Sequence, residues 1–318
     1  MSDSDNKGVY CRIPPRIVEL YGDKFPFEIF IKLKSGKAIR LSNRDDDIKD
    51  IYAKYKAKGV ESIYVSRNEF EEFIGGFRKK TKNKLFNPAT TEEEQVDVLS
   101  DAYKVVGEAF KQFGATEDTI EFAKDINKSS IKLLENSPNI FQFFEKFKER
   151  VGVELAHIML TSYLMSMMLD TFEWASDSIK EKASLGCMLC DVLLENDQIK
   201  EVRENRKHPD RLSEQCYYHA ETTATMLEEK GGTIARETIE IVRYHHEAPD
   251  SKGFPHQTSS KNITLLTAIY IVADHFAELL FQNYFDFSRK NLMLSEIDNN
   301  YNNANFRNAY FALKNALD

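Results

Sequence analysis

Residues that can bind a divalent metal ion recur along the C-terminal half of the sequence. The adjacent pair His245-His246 is the clearest example, because two neighbouring imidazoles would each need a polar partner if buried. The other members occur singly, at intervals of 26 to 34 residues: His157, Asp191, His219 and Asp274. Imidazole nitrogens and carboxylate oxygens suit a divalent transition metal, and a shared aspartate can bridge two ions. Two such ions can clamp a phosphodiester and activate water, so the series predicts a metal centre for phosphate chemistry.

Each histidine also has a structural interpretation. A single histidine on an apolar helix is more often a hydrogen-bonded core residue than a metal ligand. The regular spacing, with about one ligand on each predicted helix, favours metal binding over a set of independent core positions. The histidines outside the series are expected to be surface or supporting residues: His208, His256 and His275.

The composition is that of a globular protein. The chain has 318 residues, 42% of them hydrophobic, and 22 are phenylalanine, which is enough for a sizeable core. The formal net charge of −8 argues against a protein that binds nucleic-acid polymers, since phosphate contacts need a basic face. No apolar run approaches the ~20 residues of a membrane span, and the first residues are polar. We therefore expect a cytoplasmic protein with no membrane partner.

The cysteines do not indicate a disulfide framework. There are four, at positions 11, 187, 190 and 216, too few and too unevenly placed for a chain of this size. Cys187 and Cys190 form a C-x-x-C motif, but the segment is helix-like and lacks the strand-to-helix context of a redox site. Reduced thiols are the expectation.

The elements that must position the metal ligands follow a small α/β domain at residues 9–78. Alternating apolar and polar residues at 26–33 and 38–41 predict a β-hairpin with its turn at 34–37. The further elements expected in this domain are a helix over residues 45–58, a strand over residues 60–65 and a short helix capped by Ser66.

A helical domain is predicted for the rest of the chain. The basic, polar stretch at 79–90 is the expected linker. Thr91 and Glu94 form a capping box, and apolar residues then recur with the period of a helix. The predicted fold class is therefore mainly α, with a helical domain over 91–318 preceded by the small α/β domain.

The order of the ligand residues resembles the HD-GYP domain, a branch of the HD phosphohydrolase superfamily. The segments that carry the resemblance are His157, Cys190-Asp191, His219, His245-His246-Glu247, Gly253-Phe254-Pro255 and Val272-Ala273-Asp274. The resemblance covers roughly residues 150–290. It implies a helical HD-GYP-type fold with a centre of two or three metal ions that hydrolyses cyclic di-GMP. The first region resembles, more weakly, the small α/β domain that precedes some HD-GYP domains.

The resemblance also implies a role for individual residues. One ion would be held by His157, Cys190, Asp191 and Asp274, and Asp191 would bridge to a second ion held by His219, His245 and His246. The two ions would be iron, with manganese or zinc as alternatives. The implied catalytic residues are Asp191 and Glu247, and the implied substrate-binding residues are Gly253, Phe254 and Pro255.

Four departures from the family pattern fall mainly on the substrate side. Cys190 replaces the histidine of the His-Asp pair, and a thiol ligates only as thiolate, which iron or zinc accepts better than manganese. The alternative for Cys190 is a small buried apolar residue. Leu193-Leu194 replaces the family's Gly-Lys, and Phe254 replaces the tyrosine of the motif. The neutral stretch 281–284 stands where the family usually has basic residues.

Two functions remain open on the sequence alone. The first is a divergent HD-GYP-type metal-dependent phosphodiesterase that acts slowly on cyclic di-GMP or a related nucleotide. The second is a non-catalytic, metal-containing signalling module that binds a cyclic dinucleotide or a protein partner. A purely structural helical protein does not explain the adjacent His245 and His246.

Overall fold

The computed structural model describes residues 10–21, 24–33, 36–47, 54, 55, 57, 58, 60, 62–135, 140–229 and 234–318. The chain divides into two compact units, Met1–Phe122 and Ala123–Asp318. Most of the helix predicted over residues 45–58 lies outside the described residues.

The first unit contains a four-stranded sheet. Its strands are β1 (Tyr10–Ile13), β2 (Ile29–Lys32), β3 (Ala38–Ser42) and β4 (Ile63–Ser66). They are hydrogen-bonded in the order β1-β4-β2-β3, and every pair is antiparallel. The pairing of β2 with β3 confirms the predicted hairpin. Strand β1 was not predicted, because four residues beside a polar terminus carry too short a pattern of alternation to be detected.

An aromatic core joins the sheet region to the first helix, α1 (Arg67–Leu85). Ser66 is its N-cap residue, as predicted. Phe73 is fully buried and stacks on Phe77 with ring centroids 5.4 Å apart. Phe25 and Phe27 contact the same ring in tilted and edge-on arrangements. Aromatic pairs in these arrangements stabilise a core beyond the area that they bury.

Helix α1 runs into the stretch that the sequence predicts as a linker at 79–90. Thr81 and Leu85 are buried and continue its apolar face, while the basic residues between them lie on the other face. The next helix, α2 (Glu92–Phe113), begins with the predicted capping box between Thr91 and Glu94. The sequence boundary between the two compact units comes later, after Phe122, within α3 (Glu117–Glu135).

The described part of the second unit contains helices and no strand, which confirms the predicted fold class. The helices after α3 are α4 (Ile140–Val151), α5 (Val153–Asp170), α6 (Asp177–Leu189), α7 (Asn196–Asn205), α8 (Glu214–Glu229), α9 (Arg236–Tyr244), α10 (Leu265–Gln282), α11 (Lys290–Asn300) and α12 (Ala304–Leu317).

Helix α10 is the central element of this unit. It packs against α5 and α12, and it is apolar along nearly its whole length. Among the described residues it is the one helix long and apolar enough to cross a membrane by length and composition, and two thirds of that stretch is buried inside the unit. Burial of most of the helix inside the unit explains its apolar composition.

A second packing contact places the ends of α6 and α9 side by side. Gly186 of α6 lies against Ile241 of α9 so closely that a Cβ atom at Gly186 would be 3.0 Å from the Ile241 side chain. Small residues let helix backbones approach closely. The contact brings Asp191, which follows α6, toward His245, which ends α9.

Candidate metal centre

Four of the predicted ligands lie together in the helical unit. One ligand atom from each of Asp191, His219, His245 and His246 lies within 4.8 Å of the others. They come from three places in the fold: Asp191 follows α6, His219 lies on α8, and His245 and His246 follow one another at the end of α9. Three imidazoles and one carboxylate form a donor set that suits iron, zinc or manganese.

Backbone hydrogen bonds determine which imidazole nitrogens face the centre. Nδ1 of His219 lies 2.6 Å from the carbonyl oxygen of Cys216, and Nδ1 of His245 lies 2.7 Å from that of Val242. A carbonyl oxygen only accepts, so each Nδ1 carries the proton and donates. The lone pair on each Nε2 is then free to bind a metal ion, as in metal sites where the second ring nitrogen is held by a carbonyl.

The Nε2 lone pairs of His219 and His245 face each other and Asp191 across a short gap. Nε2 of His219 lies 3.2 Å from Nε2 of His245 and 3.2 Å from Oδ1 of Asp191. Nε2 of His245 lies 3.7 Å from the same Asp191 oxygen. Two nitrogen lone pairs and a carboxylate oxygen repel one another unless a cation lies between them. The arrangement therefore fits a bound metal ion.

His246 adds a ligand with no other partner. Both of its ring nitrogens are buried and make no hydrogen bond to the described residues, and the same holds for Oδ1 of Asp191. Buried polar atoms without partners are rare in folded proteins and need an explanation, such as a bound ion. The ring is held by Phe254, which stacks on it with centroids 4.4 Å apart and an interplanar angle of 16°.

The local electrostatics keep these groups in their ligating forms. Burial by itself would raise the pKa of Asp191, but the neighbouring imidazoles of His219 and His245 outweigh burial and hold that pKa well below its usual range. Burial, followed by the neighbouring His245 and His219, lowers the pKa of His246. At neutral pH the site therefore offers an ionised carboxylate and a neutral imidazole.

The other three predicted ligands do not join this cluster. Nδ1 of His157 lies 3.6 Å from Oδ1 of Asp274, while Oδ2 of Asp274 accepts a hydrogen bond of 2.6 Å from Nη1 of Arg206. The thiol of Cys190 donates to the carbonyl oxygen of Gly186, with the sulfur 3.1 Å away. Burial raises the pKa of this thiol well above its ordinary value, which disfavours a thiolate.

Hydrogen bonds and packing hold the loop after His246 in place beside the candidate metal centre. Both carboxylate oxygens of Glu247 accept backbone N–H bonds, from His256 at 2.9 Å and Thr258 at 2.7 Å. The N–H of Phe254 donates to the carbonyl oxygen of His246. Glu247 and Phe254 are buried, so their observed contacts hold the loop and orient His246. The catalytic role of Glu247 and the substrate contacts of Gly253, Phe254 and Pro255 stay predictions.

A cavity of about 180 Å³ opens beside the cluster. It lies between α5, α7 and α10, and its polar lining includes His157, Asp191, Arg203, Arg206 and Asp274. The two arginines were not predicted as site residues. Their signal is present in the sequence, because Ile199, Val202, Arg203 and Arg206 follow the helical spacing of one inward face.

Comparison with known proteins identifies the fold. No family model matches the chain, and no curated protein sequence matches it. A solved structure does match: Bd1817, a HDG"Y"P protein from Bdellovibrio bacteriovorus, superposes with a TM-score of 0.59 at 15% identity. The match covers 97% of this chain and 99% of that chain. This chain has the HD-GYP fold.

Within the HD-GYP fold, the histidines outside the ligand series occupy supporting positions. His208 is exposed. Nε2 of His256 lies 3.0 Å from a carboxylate oxygen of Glu221, and Nδ1 of His275 lies 3.0 Å from the hydroxyl of Tyr301. None of the three joins the cluster of four ligands.

His275 makes the helical unit sensitive to acid. Burial, with a contribution from Arg206, lowers the pKa of His275 from 6.5 to about 4. Between these values the unfolded chain binds a proton that the folded chain does not, so the stability of the metal-free protein is expected to fall as the pH drops below about 6.5. At pH ~5 the loss is about 2 kcal/mol for this residue. Thermal unfolding of the metal-free protein at pH ~7 and at pH ~5 measures this loss of stability. The loss should be smaller in His275→Gln than in the wild type. An equal loss in both proteins would show that His275 is not its source.

Proposed function

We propose that this chain is a metal-dependent phosphohydrolase of HD-GYP type that cleaves a phosphodiester bond of cyclic di-GMP or a related cyclic nucleotide. The observation that carries the proposal is the cluster of Asp191, His219, His245 and His246, in which lone pairs face one another around a space suited to a cation. Iron is the preferred ion, with manganese or zinc as alternatives. A divalent ion held there supplies Lewis-acid polarisation of a phosphoryl group and activation of water.

The residues around the cluster supply substrate binding. Arg203 lines the cavity, and the described residues offer it no ion-pair partner, so its guanidinium is available to a phosphate. The cavity, at about 180 Å³, is small beside the ~300–1,000 Å³ typical of ligand pockets. It therefore fits the scissile phosphate, and the bases of a cyclic dinucleotide would lie outside it.

Turnover is expected to be slow. Leu193 and Leu194 stand where the resemblance predicts a Gly-Lys pair, so a cation is missing from that side of the site. Loss of one electrostatic partner of a transition state costs about 2.7 to 4 kcal/mol, which corresponds to about a hundredfold or more in rate. Arg203 comes from a different helix and offsets part of this loss.

The second candidate is a non-catalytic, cytoplasmic signalling module that keeps the metal for structure and binds a nucleotide or a protein partner. The observation that favours it is the ion pair between Arg206 and Asp274, which engages a residue that the two-ion centre would need. Such a module would bind metal and ligand without turnover.

An assay with cyclic di-GMP separates the two candidates. The purified protein is reconstituted anaerobically with Fe²⁺, or with Mn²⁺, and product formation is compared with that of His219→Gln, which removes a ligand. We expect the wild type to exceed this variant by about a hundredfold or more. The matched control is His208→Gln, an exposed position expected to keep wild-type turnover.

Each outcome of this assay decides between the candidates. A metal-loaded wild type with no turnover above His219→Gln would leave the signalling module. A protein that stays metal-free after reconstitution would contradict both candidates.

A further inference from the structure

Two groups of predicted ligands lie side by side, and they differ in how they are satisfied. The cluster of Asp191, His219, His245 and His246 has polar atoms with no partner among the described residues. In the neighbouring group of His157, Cys190 and Asp274, two members are engaged by the protein: Cys190 donates to the carbonyl oxygen of Gly186, and Asp274 accepts from Arg206. The two groups therefore differ in whether a protein cation already faces their carboxylate.

Asp274 is paired with an arginine. Its Oδ2 accepts a hydrogen bond from Nη1 of Arg206 at 2.6 Å, and its Oδ1 lies 3.6 Å from Nδ1 of His157, beyond hydrogen-bond distance. The same guanidinium nitrogen lies 3.9 Å from a carboxylate oxygen of Glu278. A guanidinium is permanently charged, and charged hydrogen bonds of this length are among the strongest in proteins. An ion at Asp274 would have to displace Arg206, a partly buried cation, from its 2.6 Å hydrogen bond and leave it only the longer contact with Glu278.

Cys190 does not complete a second ligand set. Its thiol donates to the carbonyl oxygen of Gly186, four residues earlier, with the sulfur 3.1 Å away, so the side chain is turned back onto α6. The histidine that stands here in the family pattern would offer an imidazole lone pair instead.

We infer that Arg206 takes the place of the second metal ion, so that this centre holds a single ion beside a fixed guanidinium. The inference rests on the proposed metal centre and specifies its composition. The side chain comes from the end of α7, 68 residues before Asp274 in the chain, and it lines the same cavity as the cluster. It contributes one positive charge to the wall that a substrate phosphate would face, and Arg203 lies one helical turn before it.

Metal stoichiometry tests the inference without relying on activity. Wild-type protein is titrated with Mn²⁺, and bound metal is measured by elemental analysis together with the electron paramagnetic resonance spectrum. We expect about one equivalent per chain, with the hyperfine pattern of an isolated ion. Arg206→Gln combined with Cys190→His should take about two equivalents and show the spectrum of a coupled pair, and Arg206→Gln alone should take a second ion more weakly.

Two matched variants control the experiment. Arg203→Gln removes a guanidinium from the same helix and the same cavity but leaves the pair with Asp274 intact, so it should keep one equivalent. His157→Gln should also keep one equivalent, whereas a two-ion centre would lose an ion. Retention of the first ion shows that each variant is folded.

The outcomes distinguish this inference from the proposed function. Two equivalents in the wild type with a coupled spectrum would overturn the single-ion centre and leave the metal-dependent hydrolase standing. The double variant remaining at one equivalent would also overturn it, because Arg206 would then not be what excludes the second ion. No bound metal in any variant would overturn the proposed function and this inference together.

Discussion

Asp191→Asn is expected to abolish metal binding and to lower phosphodiester hydrolysis by at least about a hundredfold. Asp191 Oδ1 is the atom on which the cluster converges, at 3.2 Å from Nε2 of His219 and 3.7 Å from Nε2 of His245. Asparagine keeps the shape of the side chain but removes the negative charge that balances a divalent ion. His219 and His245 would then face a neutral amide, and the site would lose its affinity for a divalent ion.

Thermal unfolding with and without Mn²⁺ separates this effect from misfolding. Binding to the folded state stabilises a protein by about 2.7 kcal/mol when the free ligand is at ~100 times its Kd. The unfolding midpoint of the wild type should therefore rise on addition of the ion, while that of Asp191→Asn should not move. Asp250→Asn, an exposed carboxylate in the nearby loop, is the matched control and should respond as the wild type does. An Asp191→Asn protein that still binds the ion with wild-type affinity would remove Asp191 from the centre.

Gly253→Ala is expected to destabilise the helical unit by about 3 kcal/mol or more and to release His246 from its position. A Cβ atom at Gly253 would lie under 3.0 Å from three backbone atoms: N of Ala248, Cα of Glu247 and the carbonyl oxygen of His246. Backbone atoms cannot rotate out of the way as the end of a side chain can. The loop would have to open, and Phe254 would lose its stacking on His246.

Urea unfolding of the metal-free protein measures this loss without any contribution from a bound ion. Gly107→Ala provides the contrast, because a Cβ atom there meets nothing within 4 Å and the residue lies inside a helix. That substitution should leave the stability unchanged or raise it by about 0.5 to 1 kcal/mol. A Gly253→Ala protein as stable as the wild type would show that the loop tolerates a different path and that its close packing does not hold His246.

Much of the architecture could be predicted from local patterns. The hairpin at β2 and β3, the capping box at Thr91 and the helical character of the second unit follow from alternation, capping residues and helical period. These signals depend on residues close together in sequence, so they can be detected in a single sequence without an alignment. Strand β1 was missed, because its pairing with β4 joins segments some fifty residues apart.

The ligand cluster was also accessible from the sequence, but only as a set of residue types. Histidine and aspartate at regular intervals on successive helices predicted that Asp191, His219, His245 and His246 could meet, and the fold brings them within 4.8 Å. Spacing along a chain of helices limits which ends can lie together. It does not determine the direction of a side chain, which depends on the packing of each helix against its neighbours.

The hydrogen-bond partners of the other predicted ligands, Asp274 and Cys190, could be known only from the tertiary structure. Nothing in the segment around Asp274 indicates that Arg206, 68 residues earlier, donates to its carboxylate, or that Cys190 turns its thiol to Gly186. The sequence by itself determined the helical fold class and the residue types of a candidate metal centre, because both depend on local pattern and on the chemistry of single side chains. Which carboxylate pairs with an arginine depended on the approach of α7 to Asp274 on α10, and that approach exists only in the folded chain.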